Sequence, residues 1–65
     1  MRARKKPIII EAEGPLREGR LVATAHGRVR AEAGDYILHD PKSGDVWPIK
    51  PDIFAATYEV IGPND

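Results

Sequence analysis

No cysteine occurs among the 65 residues, so neither a disulfide nor a thiolate metal site holds this chain together. Its absence fits a reducing compartment. Net charge is lacking too: ten Lys and Arg cancel ten Asp and Glu, unlike the broad basic excess of a dedicated nucleic-acid binder. No apolar run approaches the roughly 20 residues that cross a bilayer, and no signal-like apolar stretch follows the basic N-terminus. These absences together predict a soluble, cytoplasmic protein. Ser43 is the only serine, and His26 and His39 are the only histidines. Aromatics are reduced to one Trp, one Phe and two Tyr, so each carries a large share of any core.

What remains fits one small β domain spanning residues 1–65. A chain this short buries only about 60% of its unfolded surface, so its stability needs tight packing, prolines or self-association. Residues 1–6 are basic and read either as a solvated, flexible arm or as one that seeks phosphate. Pro7 favours extended backbone and introduces Ile8–Glu13, a strand with Ile8, Ile10 and Ala12 on one face. Gly14-Pro15 breaks it, and residues 16–19 form a loop or single turn.

Arg20–Ala25 and Arg28–Ala33 follow as a hairpin about His26-Gly27. Its small alternating Ala side chains point inward, and Arg28, Arg30 and Glu32 form a charged outer face. Gly34-Asp35 is a turn signal before the strand 36–39. The turn formers of 40–45 lead back into the strand 46–49, where Pro48 marks an edge. Pro51 and Asp52 suit the first turn of a helix running to about residue 56. Thr57–Ile61 reads as a last strand, and residues 62–65 as a frayed tail. The expected fold is mainly β: five or six short antiparallel strands in a small barrel or strongly bent sheet, with one helical turn near residues 51–56. Tyr36, Ile37, Leu38, Trp47, Ile49, Ile53, Phe54 and Tyr58 are the expected core.

Little here points to catalysis. Ser43 lacks the strand-to-helix turn that activates a nucleophile. His39 and Asp40 are adjacent in an extended run and so point to opposite faces. Glu11 and Glu13 share a strand face, which suits either a divalent cation or simple solvation. The glycines punctuate turns and form no phosphate loop. No enzyme activity, cofactor or metal is therefore expected. Trp47, beside an edge proline, is either core or contact surface. With Arg4, Lys5, Lys6, Arg28 and Arg30 it makes up the candidate binding set. If a nucleotide is bound, these basic side chains carry its phosphates and an aromatic ring stacks on its base.

The order of motifs resembles a family of small, uncharacterised proteins of tailed phages and prophages. The matching residues are Arg4-Lys5-Lys6-Pro7-Ile8-Ile9-Ile10-Glu11-Ala12 at the start and Thr24 with Gly27. They continue through Gly34–Ile37, Gly44-Asp45, Trp47-Pro48-Ile49, Lys50–Phe54 and Thr57-Tyr58-Glu59. The segment between Ala12 and Arg20 is much shorter than is usual in that family, so a function carried by that insert is not implied. Residues 46–61 also resemble the C-terminal stretch of phage sponge proteins that sequester nucleotide second messengers. The resemblance implies phage origin and a shared fold, and no reaction. Together with the lack of catalytic chemistry it leads to the expectation of a phage accessory protein that binds, blocks or sequesters a host component, whether in counter-defence or host takeover. The partner is then a host protein or a small nucleotide, with long nucleic acid disfavoured by the zero net charge. A nucleotide-binding module and a structural virion component are the alternatives, and an edge strand favours a homo-oligomer.

Overall fold

In a computed structural model that describes residues 1–3 and 8–61, the turn residues divide the chain into five short strands and one helix. They are β1 (Glu11–Glu13), β2 (Arg20–Thr24), β3 (Gly27–Ala31), β4 (Tyr36–His39), β5 (Val46–Ile49) and α1 (Pro51–Thr57). Two antiparallel sheets result: a three-stranded one in the order β1-β4-β5, and the β2-β3 hairpin. The strands do not close into a barrel.

β4 is the central strand, and its alternation sends side chains to two separate apolar layers. Ile37 points towards the hairpin and joins Val22, Ala31 and Leu16 in a buried cluster that Val46 flanks. Leu38 points the other way and is fully buried. Its face also carries Tyr36 and, through the β4-β5 register, Trp47 and Ile49. Phe54 of α1 covers part of this layer, its ring stacked on Tyr36 at 4.1 Å and on Tyr58 at 5.7 Å. The helix starts as its sequence dictates: Lys50 is the extended N-cap, Pro51 follows, and Asp52 lies in the first turn. The Tyr58 N–H ends it by donating to the Phe54 carbonyl at 2.9 Å.

Asp35 ties these layers together. Only 4% exposed, it occupies the turn between β3 and β4. Its Oδ2 accepts from the Glu32 N–H at 2.9 Å and from Lys50 Nζ at 3.1 Å. Its backbone carbonyl accepts from Leu16 N–H at 2.9 Å, while Gly34 N–H donates to the Leu16 carbonyl at 2.8 Å. One residue thus joins the end of the hairpin, the buried loop residue Leu16 and the start of α1. Gly14, on the same loop, has φ +142°, and a Cβ there would lie 2.8 Å from the Tyr36 ring.

Several expectations are corrected. Ile8–Ile10 is not part of β1, because β4 ends at His39 opposite Glu11 and the turn at 40–45 leaves the isoleucines no strand to pair with. Ala12 is exposed, as are Ile8 and Ile9. In the hairpin Thr24 pairs with Gly27, so the two turn residues are Ala25 and His26, one position earlier than expected. Thr24 Oγ1 closes that turn by accepting from His26 N–H and donating to the Gly27 carbonyl. Val22 therefore faces inward opposite Val29, and Leu21 and Ala23 face outward opposite Arg30 and Arg28. β3 ends at Ala31 because Glu32 turns to Asp35. Thr57 belongs to the helix, and Tyr58 serves as its cap in place of opening a strand. Ile53 is exposed, whereas Tyr36, Trp47, Ile49 and Tyr58 are half-buried and sit beside the core.

Two outcomes follow. Leu38→Ala removes the one large side chain that is fully buried among the described residues and costs about 3 kcal/mol, read as a fall in the urea midpoint at unchanged slope. The Glu32 N–H, then Lys50, hold the Asp35 carboxyl below its ordinary pKa of 3.8. Because the folded value is the lower one, the ionised form stabilises the fold above the ordinary value. That contribution is lost as pH falls through the folded value. Asp35→Asn is accordingly less stable at neutral pH and loses less stability on acidification below pH 3.8. Parallel acid limbs for the two proteins would contradict this.

Candidate functional site

Among the described residues β1 pairs only with β4, and β2 only with β3, so each has one open edge. Between them lies an open groove of about 490 Å³. Its floor is apolar, made by Val22, Ile37 and Val46. Alternation places Glu11 and Glu13 on the same sheet face as Ile37 and His39, so the two carboxylates form the β1 rim.

Each rim carboxylate has a basic partner. Arg20, at the start of β2, donates two hydrogen bonds to Glu13, one from Nη1 at 3.1 Å. This bidentate arrangement holds Glu13 below, and Arg20 above, its ordinary pKa. It clasps the groove where β1 leaves for the loop at 14–19. Glu11 lies 3.2 Å from His39 Nδ1 towards the other end. Both pairs are solvent-exposed, so they set geometry more than stability. A smaller hollow of about 370 Å³ lies under the loop and is lined by residues 13–20 alone.

The sequence candidates fall on different surfaces. Arg28 and Arg30 project from the hairpin face opposite Val22 and Ala31, and Arg30 Nε lies 3.6 Å from Glu32. Trp47 is on the face of the three-stranded sheet that points away from the hairpin. The hairpin and the sheet thus separate the two arginines from the indole. Arg4, Lys5, Lys6 and the tail 62–65 lie outside the described residues.

The remaining polar candidates serve the backbone. Asp40 accepts from Lys42 N–H, the main reason its carboxyl lies below the ordinary value, and Ser43 Oγ accepts from Asp45 N–H. Among the described residues no three potential metal ligands cluster, and no helix is long and apolar enough to cross a membrane.

Sequence reading missed the groove because β1 finds its partner, β4, far along the chain, and only that pairing brings its carboxylates beside β2 and over Ile37 and Val46. The usable signal was the Glu11-Ala12-Glu13 alternation, which puts both carboxylates on one face. Trp47, half-buried beside Leu38, contributes packing. Trp47→Ala lowers stability by about 2 kcal/mol, part of the cost of truncating a buried aromatic, and leaves the chain folded in urea titrations. The chain matches no protein-family model, curated protein or solved structure.

Proposed function

We propose that this chain is a non-enzymatic phage accessory protein that blocks or sequesters a host protein, in the host cytoplasm, by accepting an extended segment of it in the groove between β1 and β2. The observation that carries the reading is the pair of open strand edges above one apolar floor. Extended segments bind such edges through main-chain hydrogen bonds, and side-chain pockets supply the selectivity. The phage assignment is supported by the resemblance running from Arg4 to Glu59. A nucleotide site is less favoured, since Arg28 and Arg30 are separated from Trp47.

Affinity capture from host lysate tests the proposal, with retained small molecules extracted for mass spectrometry. A host protein is expected at fixed stoichiometry, retained at high salt. Ala23→Lys, on an exposed residue at the β2 wall, is expected to abolish capture through the gatekeeper effect of an edge lysine while leaving the fold intact. A released nucleotide, capture unaffected by Ala23→Lys, or turnover of any substrate would overturn the reading.

A further inference from the structure

The groove between β1 and β2 is unevenly charged along its length. At one end Arg20 donates two hydrogen bonds to Glu13, so those two charges cancel within the clasp. Towards the other end Glu11, among the described residues, meets only His39, whose Nδ1 lies 3.2 Å from Glu11 Oε1. With histidine counted as neutral, the lining holds two carboxylates against one arginine, and the uncancelled charge is that of Glu11. Beyond Arg20 the β2 wall is Leu21, Val22 and Ala23, and Arg28 and Arg30 project from the other hairpin face.

The strand register sets the distance from that charge to the apolar floor. Glu13 stands opposite Ile37 and Glu11 opposite His39, two residues further along both strands. Side chains two residues apart on a strand share a face and lie about 7 Å from one another.

We infer that the segment taken up by the groove carries a lysine or arginine two positions from an aliphatic residue, the cation beside Glu11 and the aliphatic side chain towards Ile37. The inference rests on the groove reading above and names what that groove selects. An extended chain alternates with the same period as β1, so one face of the segment makes both contacts while its main chain pairs with the strand edge. Acidic segments and nucleotides are disfavoured, because they meet Glu11 while the arginine of the lining is committed to Glu13. Exposed charge pairs contribute little to stability, so the cation supplies selectivity, and the floor and main chain hold the segment.

Selection from a synthetic peptide pool on the full chain tests this without a host component. The probe is a set of acetylated, amidated heptapeptides with threonine at alternate positions and random residues between, identified by mass spectrometry of the retained fraction. Retained peptides are expected to carry Lys or Arg two positions from Val, Ile or Leu, favoured about fivefold or more over their acidic counterparts. High salt erodes that charge preference and leaves the aliphatic one. Glu11→Gln, on an exposed residue of the same shape, removes the basic preference and keeps the aliphatic one. Ala23→Lys abolishes retention of these peptides. Retention indifferent to charge overturns the inference, as does a basic preference that Glu11→Gln leaves unchanged or an aliphatic preference lost with it. In each case sensitivity to Ala23→Lys leaves the groove reading standing. Retention that Ala23→Lys does not weaken overturns the groove reading itself, and retention of no peptide overturns both.

Discussion

A single buried carboxylate holds this small fold together. The Asp35 side chain satisfies the Glu32 N–H and pairs with Lys50, and its main chain fixes Leu16. Each contact belongs to a different part of the chain, so the residue does the joining that a disulfide does in other domains of this size. The physical requirement is strict. A carboxylate this buried stays ionised only with charge-assisted partners, and removing one leaves a poorly compensated charge. Lys50 is itself largely exposed, so the pair is half in water, which lowers the desolvation cost while the Glu32 N–H supplies direction.

Around that tie the chain distributes its few large side chains on both faces of one strand. Ile37 and Leu38 are neighbours in sequence and belong to different apolar layers. The hairpin covers one layer with small residues, Val22 and Ala31, which permit close approach. The other layer gains thickness from stacked rings, Tyr36 on Phe54 and Phe54 on Tyr58. Neither layer is large, and the sheets remain open where β1 and β2 diverge. That opening is the groove, and the strands on either side of it, β1 and β2, are both edge strands.

Local chemistry made much of this legible from the residues alone. The strands 36–39 and 46–49, the loop between them and the start of α1 follow directly from turn formers, β-branched residues and Pro51-Asp52. The misreadings arise where long-range pairing decides. Ile8–Ile10 has strand propensity without a partner, and Tyr58 is taken by the helix cap. The hairpin turn lies one position earlier, closed by the Thr24 hydroxyl, and in the resulting register Val22 and Ala31 face inward while Ala23 faces out. Asp35 read as a turn residue because its partner Lys50 lies 15 positions away. Glu11 and His39, 28 positions apart, meet only once β1 and β4 align. Spacing in the sequence carries no sign of either pair.

The groove, its clasp and the exposed isoleucines therefore depend on how firmly the Asp35 junction is held. Amide hydrogen exchange at Leu16, Glu32 and Gly34 measures this directly, since those three N–H groups make the hydrogen bonds of the junction. If Asp35 organises the fold, these amides open only with global unfolding and are protected as strongly as the amides of β4. Exchange at the rate of the loop at 40–45, with β4 still protected, would show that the fold stands without its junction and would contradict the account.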